Sequence, residues 1–138
     1  MPLLKIDLNR VDERVASKSL QLDSFRISGN EALAEVVISK DHCIEFYLPA
    51  FQGNIDKRLI ETARDVLMHL SQMDNAVQHS CAEECARSGY HSRNYESWLA
   101  YATLVSSDEV VLHYDGAVVN TEWDERFIRV NREWNAVK

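Results

Sequence analysis

The sequence predicts an α+β fold: a mostly antiparallel β-sheet with a central long helix or helical hairpin packed on one face. Three observations carry this. Apolar and polar residues alternate with period two before residue 50. An apolar stripe of helical spacing runs from Ile55 to Val77. Alternation returns after Gly89. Strands grouped on either side of a helical segment read as α+β, because a repeating strand–helix alternation is missing.

Leu4, Ile6 and Leu8 alternate with Lys5 and Asp7, which predicts a half-buried strand over Leu3–Leu8. Leu20–Ile27 alternates and then shifts phase at Phe25, the mark of a strand with a bulge. Ser28-Gly29-Asn30 is a turn signal. Ala32–Ser39 and Cys43–Leu48 read as a hairpin about the polar link Lys40-Asp41-His42, and Pro49 ends it.

A helix follows, with Asn54 as its expected cap and Asp56 in a first turn that suits the helix dipole. Ile55, Leu59, Ala63, Val66, Leu70, Met73 and Val77 recur at spacings of three and four, one apolar stripe. The stripe can run on through Cys81, or Asn75 with Gln78 can cap a second helix. Residues 54–88 are thus one helix or two, closed by Ser88-Gly89.

Trp98–Val105 is apolar on both alternating faces and reads as a central strand. Ser106-Ser107-Asp108 turns the chain into a strand over Glu109–Tyr114. Asp115-Gly116 is the expected hairpin turn, with Ala117–Trp123 pairing back. Arg126–Val130 is a last short strand or the start of a helix.

The length of 138 residues fits one domain over residues 1–138. A hydrophobic content of 46% with 27% charged residues argues against disorder. No run approaches the roughly 20 apolar residues a membrane helix needs. Met1–Asp7 lacks the basic start of a signal peptide, so the expected location is the cytoplasm. Three cysteines, an odd number, argue for reduced thiols and against a disulfide framework.

The formal charge of −7 is unevenly spread. Residues 1–72 hold eleven acids and nine bases, residues 73–125 ten acids and two bases, and residues 126–138 one acid and four bases. The middle region therefore carries −8 and sets the field. Such a field repels nucleic acid and anionic membrane and favours a basic protein partner. Plain solubility is the competing account.

No pattern amounts to a catalytic signature. Glycine-rich phosphate loops, HExxH and GxSxG are all missing from the chain. His79, Cys81, Cys85 and His91 are of the zinc-ligand type, but all four lie within one helix and its end. Structural zinc sites instead pair a turn-borne ligand couple with a distant one, so buried thiols and surface histidines are the simpler reading. A thiolate at Cys81 or Cys85 would sit late in a helix beside Glu83 and Glu84, where the dipole and both charges oppose it. Arg126, Arg129 and Arg132 could line one face of a short helix, and pairing with neighbouring acids explains them better than nucleic acid does.

The tract Asp108–Phe127, DEVVLHYDGAVVNTEWDERF, together with the Met73-Asp74-Asn75 step, resembles small bacterial immunity-type proteins associated with polymorphic toxins. The resemblance covers mainly residues 73–127. It implies a protein that binds and blocks a cognate toxin without a cofactor. Binding residues in that group vary with the toxin, so no residue role carries over.

The resulting expectation is an intracellular inhibitory binding protein, an immunity protein to a basic toxin such as a nuclease. Its acidic contact surface would comprise Asp108, Glu109, Asp115, Glu122, Asp124 and Glu125, with Tyr114 and Trp123 as aromatic anchors and Trp98 and Tyr101 as further candidates. Two alternatives stand beside it. One is a small enzyme with a polar pocket around His113, Asn120 and Glu122. The other is an oligomerising module whose open sheet face is covered by a second copy, which allows a homodimer. No metal and no cofactor are expected.

Overall fold

The computed structural model describes residues 11–20, 24–40, 42–87, 97–116 and 122–137. The strand expected at Leu3–Leu8 lies outside these residues. One turn of helix, α1 (Glu13–Ala16), comes first, with the Asp12 side chain accepting from the Arg14 N–H at 3.0 Å. Among the described residues seven strands follow: β1 (Arg26–Ser28), β2 (Glu31–Ser39), β3 (His42–Pro49), β4 (Ser97–Ser106), β5 (Glu109–Gly116), β6 (Glu122–Val130) and β7 (Glu133–Ala136). Between β3 and β4 runs α2 (Lys57–Arg87). The strands form one sheet in the order of the sequence. Every pairing is antiparallel except β3 with β4. Parallel neighbours need a long crossover, and α2 is that crossover.

The expected α+β architecture is therefore present, and the choice between one helix and two is settled. The 31 residues of α2 run unbroken through Asn75. Its start differs from expectation. Asn54 is used in a small reversal, exchanging backbone hydrogen bonds with Phe51 at 2.8 and 3.0 Å around Gln52 and Gly53, both at positive φ. Asp56 caps the helix instead, accepting from the Arg58 N–H at 2.9 Å. That bond and the Arg58 guanidinium hold the Asp56 carboxyl below its usual range. No helix of the described residues is long and apolar enough to cross a membrane.

The stripe of α2 packs where its spacing predicts. Ala63, Val66, Leu70, Met73 and Val77 are buried against the sheet, and Ile60 and Leu67 join them. The sheet answers with Ala32, Ala34, Val36 and Ile38 from β2 and with Ile44, Phe46 and Leu48 from β3. Leu99, Ala102 and Leu104 from β4 and Val110, Leu112 and Tyr114 from β5 complete it. Burying each such aliphatic side chain contributes about 1.5–3 kcal/mol.

Other expectations shift at their edges. Among the described residues of the Leu20–Ile27 segment only Arg26 and Ile27 are in a strand, β1, while Leu20 is buried just beyond α1. Asp115 and Gly116 belong to β5, where Asp115 faces Glu122 and Gly116 faces Ser97, so they are not the turn. The Ala117–Thr121 part of the expected return strand lies outside the described residues. Arg126–Val130 lies within a nine-residue strand, which puts Arg126 and Arg129 on opposite faces. The short β7 was not foreseen. It returns through Asn131 and Arg132, whose φ of 52° and 67° fit a two-residue type I′ turn.

Candidate functional site

With α2 on one face, period-two alternation sends the other residues of each strand to the opposite face, which no element of the described residues covers. Strand register then lines them up in rows. One row runs Glu35, Glu45, Tyr101, His113, Asp124 across β2, β3, β4, β5 and β6. Its neighbour runs Leu33, Tyr47, Thr103, Val111, Arg126 across the same strands.

The first row is joined by specific contacts. His113 Nδ1 lies 2.8 Å from Asp124 Oδ1, and its Nε2 lies 3.2 Å from Thr103 Oγ1. A carboxylate can only accept, so Nδ1 carries the proton and Nε2 accepts from the threonine hydroxyl when the ring is neutral. Tyr101 stacks on the imidazole with ring centroids 4.1 Å apart and planes 14° from parallel. Tyr47 meets Tyr101 nearly at right angles, 5.7 Å between centroids. The Tyr47 hydroxyl donates to the Glu45 carboxylate. That bond, with smaller effects of burial and of the Glu45 and Glu31 charges, pushes the Tyr47 phenol up to about 12.

The face is acidic and partly apolar. Register gives it Glu31, Glu35, Glu45, Glu109, Asp115 and Asp124 against Arg26 and Arg126. Trp98 is 46% exposed and Tyr101 40%. Large apolar groups set among carboxylates are the composition of a protein-binding surface.

The predicted contact residues do not form one surface. Asp115 and Asp124 are exposed on the open face. Glu109 is also there, 3.4 Å from Arg126. Glu122 stands opposite Asp115 in the ladder, but its side chain lies outside the described residues. Asp108 sits in the β4–β5 turn and holds Arg129 at 3.2 Å. Trp123 and Glu125 pair with Tyr114 and Leu112, which turns them to the helix side, where Trp123 Nε1 donates to Glu125 at 3.2 Å. Tyr114 is corrected outright: it is 1% exposed and cannot anchor a partner. It shares its face with Val110 and Leu112, a parity legible in the sequence. The residues that sequence reasoning missed are Glu35, Glu45, Tyr47 and Thr103. Alternation in β2 and β3 carries the signal for the first three, since each is out of phase with the buried Ala34, Val36, Ile44 and Phe46.

The pocket proposed around His113 also changes. His113 is engaged by Asp124 and Thr103, and Asn120 lies outside the described residues. Of the zinc-type cluster, His79 is exposed and Cys81 half-buried along α2, while the Cys85 side chain and His91 lie outside the described residues. Among the described residues no three His, Cys, Asp or Glu side chains converge as metal ligands.

A cleft of about 640 Å³ opens elsewhere, lined by Asp65, His69, Asp108, Arg129, Asn131 and Arg132. Its central cation is already committed. Arg129 donates to Asp65 at 3.1 Å, to Asp108 and Thr62 at 3.2 Å each, and to the Ser107 carbonyl. It also lies over the Trp134 ring at 5.2 Å, and Trp134 Nε1 donates to the same Asp65 oxygen at 2.9 Å. These contacts clamp α2 to β6, β7 and the β4–β5 turn. Comparisons with family models, with curated proteins and with solved structures return no match.

Proposed function

We propose that this chain is an inhibitory binding protein that neutralises a basic protein, in the manner of an immunity protein to a toxin, through the open face of its sheet. The observation that carries the reading is the face itself. No element of the described residues covers it opposite α2, it holds Trp98 and Tyr101 exposed, and it bears carboxylates in excess of arginines. Opposite charge across such a face speeds encounter and rejects acidic partners. Exposed aromatics inside it supply the apolar contact that holds a complex together.

A second copy is a poorer occupant. Packing two such faces together would set carboxylates against carboxylates, a like-charge juxtaposition that disfavours association. The test is capture from a lysate of the source cell at low and at moderate salt, with wild type beside a Glu35→Lys, Asp124→Lys variant. The captured basic protein is then purified and its activity assayed with and without this chain. Salt-sensitive capture that the variant loses, with inhibition, supports the reading. Capture of nothing, or of an acidic protein, removes it.

The chain Asp124, His113, Thr103 favours a second reading. Orienting carboxylate, base and hydroxyl stand in the order a hydrolytic enzyme uses. Such a site also needs donors for an oxyanion and a cleft for the substrate. Labelling of Thr103 by a fluorophosphonate, lost in His113→Ala, would carry this reading, and an unlabelled Thr103 removes it.

A further inference from the structure

The open face contains a local conflict on β2 and β3. Glu35 and Glu45 are direct cross-strand partners, and both are exposed. Like charges directly opposite destabilise an antiparallel pair. Among the described residues, no Lys or Arg stands within ion-pair distance of either. Two of the acids expected to contact a partner differ in this respect, because Asp108 and Glu109 already hold Arg129 and Arg126.

An aromatic corner adjoins the conflict. Tyr101 is the neighbour of Glu45 on β4, and Tyr47 meets its ring at 81°. His113 stacks on Tyr101 from the β5 side and fixes its orientation. The Tyr47 hydroxyl bonds the Glu45 carboxylate, so that carboxylate is held against the corner. We propose that Tyr47, Tyr101 and Glu45, with Glu35 beside them, seat an arginine side chain of the basic partner protein. The proposal rests on the reading of the open face as a partner surface and names its anchor.

The chemistry selects arginine. A guanidinium is planar and delocalised, so it can lie against an aromatic ring and fork onto a carboxylate at once. A lysine ammonium is a compact, strongly hydrated charge and loses more water for the same contacts. The field at the corner has the right sign. Beyond the hydrogen bond to Glu45 and burial, the charges of Glu45 and Glu31 also favour keeping the Tyr47 proton, and the same charges draw a cation. Asp115 and Asp124 extend the negative surface along the same face, which suits a protein bearing several basic residues.

The test uses the full chain and three blocked tripeptides, Gly-Arg-Gly, Gly-Lys-Gly and Gly-citrulline-Gly, followed by the tyrosine ring signals in NMR. The arginine peptide is expected to shift Tyr47 and Tyr101 saturably, several-fold tighter than the lysine peptide, with no saturable shift from citrulline. Glu45 is exposed, so Glu45→Gln keeps the fold; it is expected to weaken arginine binding several-fold, while Glu125→Gln on the helix side leaves it unchanged. Equal shifts from arginine and citrulline, or arginine shifts that avoid both tyrosines, overturn the proposal. Failure of the wider reading looks different. A basic partner whose capture survives Glu45→Gln and Tyr101→Leu but not Asp124→Lys overturns the corner and keeps the face. Saturable arginine binding at the corner with no basic protein captured upholds the corner and removes the inhibitory reading.

Discussion

Tyr114 donates its phenolic hydrogen to Asp74 Oδ1 at 2.7 Å, joining the sheet to the middle of α2 inside the core. Both residues are almost fully buried, and Gln78 Nε2 approaches the same oxygen at 3.4 Å. A buried carboxylate that loses a donor keeps its desolvation cost without compensation. Tyr114→Phe removes only the hydroxyl and leaves the ring packing. It is expected to lower stability by about 1–3 kcal/mol, read as a shift of the urea midpoint at unchanged slope. An unchanged midpoint would mean that the bond carries no net stability.

Arg129 is the second fastening between helix and sheet. Its side chain is 23% exposed, and the Asp65 it pairs is 28% exposed, so the pair is partly screened by water. Arg129→Lys keeps the charge but cannot reach Asp65, Asp108, Thr62 and the Ser107 carbonyl together. The expected loss is about 1–3 kcal/mol for Arg129→Lys, with a larger loss for Arg129→Ala, by thermal or urea unfolding. Equal stability of the lysine variant would show that charge alone suffices.

The fold was largely legible because it rests on periodicity. The stripe on α2 and the alternation of β2, β3 and β5 each name the residues that are buried. The helix start is not legible locally: a positive-φ Gln52-Gly53 reversal claims Asn54, and nothing in the local composition ranks Asn54 below Asp56 as a cap. The site is less legible than the fold. Charge counting along the chain pointed to residues 108–125, but alternation divides that tract between two faces and removes Tyr114, Trp123 and Glu125. The acids that gather opposite α2 come from both halves of the sequence. Glu45 and Tyr101 become neighbours only through the parallel pairing of β3 with β4 across a 31-residue helix, a relationship that no local pattern encodes.

Tyr47 gives a pH-dependent signature. Its phenol stands at about 12 against an ordinary 10.0, because its hydroxyl donates to the Glu45 carboxylate. A group whose folded pKa is raised contributes stability that is complete below the unfolded value and is lost as pH rises through the folded one. Stability owed to Tyr47 should therefore fall between about pH 10 and 12. In ultraviolet titration of the Tyr114→Phe variant, which removes the buried phenol bonded to Asp74, a late-ionising tyrosine is expected, and adding Glu45→Gln should return it toward the ordinary range. A late tyrosine that persists in Glu45→Gln would place the cause elsewhere.

The β6–β7 turn offers a stabilising change. Arg132 holds φ at 67°, a left-handed conformation that costs an L-residue with a Cβ roughly 1–2 kcal/mol. It occupies the second loop position of a two-residue hairpin, where glycine is preferred. The pairs Val130–Glu133 and Arg129–Trp134 follow immediately, so the turn also sets the position of the Arg129 clamp. Arg132→Gly relieves the backbone and is expected to raise stability by about 1 kcal/mol, offset in part by the greater freedom of glycine in the unfolded chain. The mirror experiment is Gly29→Ala in the β1–β2 turn. There φ is 63° and an added Cβ meets nothing within 4 Å, so any loss reports backbone strain alone. A stabilised Arg132→Gly beside a destabilised Gly29→Ala would show that left-handed backbone cost governs both hairpins. A destabilised Arg132→Gly would mean that the Arg132 side chain is worth more to the cleft beside His69 than the strain it imposes.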